Sequence, residues 1–387
     1  MKKKIRVGII GYSGIGKIHA FSYRNIPFYY KDLPVEIELA GVCNRTPESV
    51  EEACREEGFR IGTTDYLELI NSKEIDIISC CTPNDTHKDI IISCLKAGKP
   101  INCEKPLCRN VSEAKEILKY AEKYPDTVAQ ITYMYRNSLP IIRARQMIGE
   151  GFLGKVYVIR GKFLHSGYEN PNRPMSWRMD FEKSGGGALF DLGSHVIDLI
   201  YFLLGDFKRV KAMLDTYIKE RPDPNKPDIK HRVTVDDAAY VNFELENGAT
   251  GYVEASRFST GTNDELILEI HGDRGAIKFN GMDPNWLKVY DSRDEGEPIG
   301  GRRGFKAIET VQRYPSPPSS NFPGPKFALD WSRYHMDQCH EFIMNAIKEQ
   351  KPECGLESGY KVQEILEAAL ISHKEDRWVE LKQEPGI

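Results

Sequence analysis

Apolar runs alternate with amphipathic stretches through the first third of the chain, and no other feature restricts the fold as much. The runs are "KIRVGIIG", "IELAGVC", "IDIISCCT", "PINCEK" and "TVAQITYMY". Between them lie "PESVEEACREEG", with Pro47 at a helix start and Gly58 at its end, "DTHKDIIISCLKAG" and "VSEAKEILKYAEKY". A run such as "IDIISCCT", apolar at nearly every position, suits a strand covered on both faces, which is the condition of a parallel strand between two helical layers. The alternation predicts a doubly wound parallel sheet over residues 1–132.

The pattern then changes. "KVYVIRGKFL", "RVKAMLDTYI", "DAAYVNFELE", "ATGYVEASRF", "LILEIHG", "AIKFN" and "WLKVYD" have strand character and are separated by turn residues such as "ENG" and "GDRG". Residues 133–387 therefore read as an α+β domain with a large, mostly antiparallel open sheet. The segment 280–328 is rich in Gly, Pro and charge and is expected to be a functional loop or an interaction arm. Two helices end the chain, and they are free to pack back on the first domain.

The first strand leads through Gly11, Tyr12, Ser13, Gly14, Ile15 and Gly16 into a helix, which is the place of the dinucleotide fingerprint G-x-G-x-x-G in a Rossmann domain. Gly11 and Gly16 hold its outer positions. Ser13 replaces the middle glycine; it is small, and its hydroxyl can donate to phosphate. The second strand ends in "CNRT", with Asn44 and Arg45 where an NAD site usually has a carboxylate. Arg45 can pair with a 2′-phosphate. These residues place NADP ahead of NAD.

The stretch "SGGGALFDLGSHVIDLIYFLLG" reads as a buried helix after a triple-glycine loop. Asp191, His195 and Asp198 interrupt its apolar run at spacings that put them on one helical face.

Further residues bring a family into view. Thr82, Pro83, Asn84 and His87 fit T-P-N-x-x-H; Ala97, Gly98 and Lys99 fit A-G-K; Glu104, Lys105, Pro106 and Leu107 fit E-K-P-L. "GGGALFDLGSHVIDL" fits G-G-G-x-L-x-D-x-G-x-H-x-x-D. The chain resembles, over essentially its whole length, the glucose–fructose oxidoreductase / inositol dehydrogenase (Gfo/Idh/MocA) family.

The resemblance implies that the Gly11–Gly16 turn, Asn44, Arg45, Thr82, Pro83, Asn84, His87, Glu104 and Lys105 attend a nicotinamide coenzyme. It implies that Lys105, Asp191 and His195 meet the substrate carbinol. Oxidising an alcohol removes a hydride from carbon and a proton from oxygen. Imidazole titrates near neutrality, so His195 takes the role of general base. Lys105 would hold the substrate oxygen; Asp191 would orient His195 or bind a neighbouring hydroxyl. Asp198 would line the pocket or tie the helix to the sheet. Trp177 and Arg178 correspond to a pair beside the nicotinamide in sugar-oxidising relatives, and Tyr135, Arg136 and His165 are further candidate substrate contacts.

The expected activity is hydride transfer between NAD(P) and a ring hydroxyl or ketone of a cyclic polyol, sugar or anhydrosugar. Two other readings share the fold: a glycosidase that uses tightly bound NAD for transient oxidation and elimination, and a non-catalytic coenzyme sensor.

With 387 residues, 40% hydrophobic and 28% charged, the composition is that of a soluble two-domain protein. A net charge of −4 offers no attraction to nucleic acid or an anionic membrane. The longest apolar run, Val196 to Leu204, is interrupted by Asp198 and does not suggest a membrane span. "MKKKIRVGII" passes too soon into glycines for a signal peptide. Nine cysteines without a CxxC pair point to reduced thiols and the cytoplasm. His335 and Cys339, four apart, read as an unmetallated helix surface, and no metal is expected. An open sheet face predicts a homodimer or homotetramer.

Overall fold

The computed structural model describes residues 2–311 and 327–381. The chain forms two compact units, Met1–Asn137 with Arg313–Lys361, and Ser138–Gln312 with Val362–Ile387.

The first unit carries six strands, β1 (Lys3–Ile10), β2 (Val35–Cys43), β3 (Ile61–Thr63), β4 (Ile77–Cys80), β5 (Ile101–Glu104) and β6 (Ala129–Thr132). They lie parallel in the order β3-β2-β1-β4-β5-β6. The order reverses between β1 and β4, so a crevice opens there at the carboxyl ends of the strands. Its helices are α1 (Gly14–Tyr29), α2 (Pro47–Glu57), α3 (Tyr66–Asn71), α4 (Asn84–Lys96) and α5 (Val111–Lys123). Local chemistry sets their ends. Thr46 and Ser49 form a capping box before Pro47, and Gly58 closes α2 in the left-handed region at φ 76°. "TVAQITYMY" is strand only as far as Thr132; Met134–Asn137 is a 3₁₀ turn.

The second unit contains α6 (Leu139–Gly149), β7 (Val156–Leu164), α7 (Phe181–Ser184) and α8 (Ser194–Leu204). There follow β8 (Phe207–Asp215), a small hairpin of β9 (Glu220–Pro222) and β10 (Lys230–Arg232), β11 (Ala238–Leu245), β12 (Thr250–Ser256), β13 (Glu265–Gly272), β14 (Gly275–Asn280), β15 (Trp286–Asp291) and β16 (Lys306–Glu309). Near the end of the chain come α9 (Trp331–Lys348), α10 (Leu356–Glu375) and β17 (Val379–Glu380).

Nine strands pair in the order β16-β15-β14-β13-β7-β12-β11-β8-β17. All neighbours are antiparallel except β7 and β12. One face receives α8: a Cβ at Gly161 of β7 would lie 2.3 Å from Val196 Cγ1, so only glycine admits the helix at this distance. Alternate residues face the other way and form cross-strand ion pairs, Lys162 with Glu254 and Arg160 with Glu269.

Other expectations also need correction. The segment 280–328 is not one loop: β15 and β16 extend the sheet through it, while residues 312–326 lie outside the described residues. The helix after the triple glycine opens with a π-turn, Leu189–Gly193, before α8 begins. The helical run Phe181–Leu204, 24 residues, is long and apolar enough to cross a membrane, but 78% of its apolar window is buried, as in a core helix.

Helix α9 belongs to the first unit. Met336, Cys339, Phe342 and Ile343 join Val7, Ile9, Ala20, Tyr23 and Ile26 in one core. His335 and Cys339 are therefore interior, at 1% and 0% exposure, and not on a helix surface.

Candidate active site

In the first unit the turn from β1 into α1 is shaped by contact. Gly11 has φ 90°, and a Cβ there would lie 2.7 Å from Cys81 O on the turn after β4. A Cβ at Gly16 would lie 2.2 Å from Gly11 O. Both glycines are thus fixed by backbone proximity. Gly14 has nothing within 4 Å of such a Cβ. Ser13 and Gly14 are exposed at the helix start, Ile15 is half-buried, and Tyr12 is buried with its ring edge on Phe59. The Ser13 side chain makes no cap bond to the helix. The amino end of α1 at a strand-order reversal fits a pyrophosphate. Asn44 Nδ2 donates to Tyr12 O at 3.2 Å, tying the end of β2 to the turn, while Arg45 is exposed.

The loops after β4 and β5 complete this edge. Asn84 begins α4 and is buried. His87 reaches Pro106 O and Thr82 O, each at 3.0 Å. Lys105 follows the last residue of β5 and is half-buried; the Lys105–Pro106 bond is cis. Glu104 lies beneath. Its Oε1 is 3.0 Å from His19 Nε2, and His19 Nδ1 is 2.7 Å from Ser79 Oγ. Burial alone would raise Glu104; the hydrogen bond and charge of His19, and the charge of Lys105, hold it below its ordinary value. Burial pushes His335 down to about 3, so its ring is neutral. Tyr135 and Arg136 are buried in the 3₁₀ turn, Tyr135 against Tyr334 and Arg136 within 3.4 Å of Ser358 Oγ.

In the second unit the triple glycine is a clamp. Gly185 caps α7 at φ 77°. A Cβ at Gly186 would meet the Phe190 ring at 2.2 Å, and one at Gly187 would meet Asp236 O at 1.8 Å. Asp236, buried between β10 and β11, accepts Gly187 N–H and Leu189 N–H, both at 2.7 Å. Burial raises its carboxyl in spite of these bonds.

Asp191 lies inside the π-turn, and π-turns within helices often mark functional sites. Its carboxylate takes a 2.9 Å hydrogen bond from Arg257. Arg257 is 1% exposed and also donates to Arg178 O and Gly187 O at 3.3 Å. Burial would lower Arg257, but Asp191, Tyr168 and Asp236 keep it above its ordinary value. His195 is the second residue of α8, buried, with its ring 5.8 Å from that of Phe163. Asp198 is buried one turn on.

His165 is lowered by burial, raised by Asp191 and lowered again by Arg257 and Arg173. Arg178 lies 4.4 Å over the ring of Trp177, both half-buried. Asp191, His165, Arg257 and Tyr168 thus form one cluster, with Arg178 and Gly187 linked to it through their carbonyls.

Sequence reasoning missed Arg257, Asp236 and His19, and misplaced His335 on a helix surface. The first two had a weak signal: charged residues at the ends of otherwise apolar strand patterns, "TVDDAAY" and "VEASRF".

Comparison with known proteins agrees with this architecture. The Gfo/Idh/MocA profile described as "Oxidoreductase family, NAD-binding Rossmann fold" matches residues 5–132, and the one described as "Oxidoreductase family, C-terminal alpha/beta domain" matches residues 145–381. The chain belongs to the Gfo/Idh/MocA family of oxidoreductases.

Among its relatives, levoglucosan dehydrogenase from Pseudarthrobacter phenanthrenivorans is 32% identical over 397 residues, spanning 98% of this chain and 99% of that protein. A levoglucosan dehydrogenase structure in complex with NADH and levoglucosan superposes with a TM-score of 0.91 at 31% identity, covering 98% of this chain and all of the other. The inositol 2-dehydrogenase of Rhizobium meliloti is 26% identical over 292 residues, 74% of this chain and 78% of that enzyme.

Proposed function

We propose that this protein is a dehydrogenase that oxidises a ring hydroxyl of an anhydrosugar or closely related cyclic sugar, with NAD(H) as coenzyme. The full-length likeness to a levoglucosan dehydrogenase solved with NADH and levoglucosan carries this reading. The glycine-lined turn at the β1/β4 reversal, with Lys105 at the same edge of the sheet, supports it.

Bound, the coenzyme supplies the hydride acceptor. The turn between Gly11 and Gly16 would hold its pyrophosphate, and Asn44 its ribose. Lys105 holds the substrate oxygen and stabilises the charge that develops on it. His195 takes the hydroxyl proton. Asp191, paired with Arg257, binds a neighbouring substrate hydroxyl; the Trp177–Arg178 stack offers a flat apolar surface and donors to a sugar ring.

Asn44 and Arg45 alone favour NADP. The NADH-bound relatives shift the order, so we place NAD(H) first and give Arg45 the role of admitting NADP(H) as a second coenzyme. The open face of the nine-stranded sheet, where Tyr240 and Tyr252 lie among the ion pairs, supports self-association as a dimer or tetramer. Nine free cysteines, eight of them buried, support a cytoplasmic setting.

The test is reduction of NAD+ by levoglucosan, followed at the absorbance of NADH, beside glucose and myo-inositol. Saturable turnover, greatest with levoglucosan, is expected. Coenzyme binding without turnover on any of the three would reject the reading. Light scattering that showed a monomer at working concentration would reject the assembly.

A further inference from the structure

His87 is fully buried and has two carbonyl partners, Pro106 O at Nδ1 and Thr82 O at Nε2, both at 3.0 Å. A carbonyl oxygen only accepts. Neutral imidazole carries a single N–H, so both contacts are hydrogen bonds only if both ring nitrogens hold hydrogen. A buried cation of this kind requires a nearby anion.

Cys80 is placed to be that anion. It is fully buried at the end of β4, and its Sγ lies within 4.8 Å of both the His87 ring nitrogen and Cys103 Sγ. Cys103 is its register partner on β5. Thr82 Oγ1 is 3.2 Å from Cys80 Sγ and 2.6 Å from Thr86 Oγ1, whose single hydrogen also has Pro83 O within 2.9 Å. Burial alone would raise the Cys80 thiol, but the Cys103 thiol, the His87 charge and Thr82 bring it well below its ordinary value.

We propose that His87 and Cys80 form a buried imidazolium–thiolate pair, and that doubly protonated His87 is a positioning residue, a strut joining the Thr82 loop to the loop that carries Lys105. The pair stands on geometry alone; the purpose of the strut rests on the dehydrogenase reading. The two loops leave adjacent strands, and one rigid ring with donors at opposite ends fixes their separation. A glutamine at this position has both of its donor hydrogens on one nitrogen and cannot span them.

The test is NMR of the full-length protein labelled with 15N histidine, His87 being assigned among the nine histidines by its loss in His87→Gln. Two ring N–H correlations for His87 at pH 7 are expected, with one lost in Cys80→Ser. One N–H in the wild type would overturn the ion pair, and so would a stoichiometric metal ion bound by Cys80, His87 and Cys103. Should either variant fail to fold, the count of doubly protonated rings in the wild type still decides: none overturns the pair.

For the strut, His87→Gln is expected to lower kcat about tenfold per folded molecule, as loss of a charge-assisted bond would. A drop in thermal midpoint with kcat unchanged would overturn the positioning role. Failure of the dehydrogenase reading shows separately, as absence of wild-type turnover, and leaves the N–H count untouched.

Discussion

The two glycine-rich turns, Gly11–Gly16 in the first unit and Gly185–Gly187 in the second, do similar work by different means. Each brings backbone N–H groups and a helix start to a functional edge. The first is held by its own backbone and by the adjacent strand: Gly16 packs on Gly11 O, and Gly11 on Cys81 O. The second is held from a distance by charge, with Asp236 on its N–H groups and Arg257 on Gly187 O and Asp191. A turn made only of backbone leaves its polar groups for a ligand. A turn clamped by buried ions places one side chain, Asp191, and makes local stability depend on those ions.

Substitution at the second turn has the largest expected effect. Gly187→Ala drives a methyl group into the Asp236 backbone and should cost about 3 kcal/mol or more, read as a lost or greatly lowered unfolding transition. Gly14→Ala in the first turn has open space and should change stability by less than about 1 kcal/mol. Equal effects would break the comparison.

Arg257→Met comes next. Removing one partner of a buried pair strands the other, so about 3 kcal/mol of stability should be lost in urea titration, together with activity. Arg257→Lys should recover part of the stability and less of the activity, because a single ammonium cannot reach all three acceptors.

A smaller effect depends on pH. Glu104 is lower in the folded state than in the unfolded chain, so its contribution is complete above the ordinary glutamate value of about 4.3 and is lost as pH falls below it. Glu104→Gln should flatten that acid limb of a thermal-melt series; an unchanged limb would deny the His19–Glu104 network this role.

The smallest effect belongs to Arg45 at the coenzyme edge. Arg45→Ala should weaken NADPH about fivefold, as expected for one exposed charge, and leave NADH within twofold, by fluorescence titration.

The same contrast explains what could be read from the chain. Five strands of the parallel sheet and the coenzyme turn follow from apolar runs and glycines close together in sequence. So do the ends of α2, set by Thr46, Pro47 and Gly58; the short edge strand β3, Ile61–Thr63, does not. The π-turn, Asp236 and Arg257 do not: Asp236 reaches Gly187 across 49 residues, and Arg257 reaches Asp191 across 66. Periodicity placed Asp191 and His195 on one α-helical face, but the acceptors at Asp236 reshape the start of that helix. Helix α9 was legible as a helix, though its apolar face did not say which unit would bury it. His335 reads as a surface residue because a buried neutral histidine leaves no mark in a sequence pattern.

The most direct measurement is turnover of His195→Ala beside its NADH affinity. With His195 as general base, the variant should bind NADH as the wild type does and lose about 100-fold or more in kcat. Wild-type-like turnover with intact coenzyme binding would contradict the role given to His195 and, with it, the chemistry assigned to the second unit.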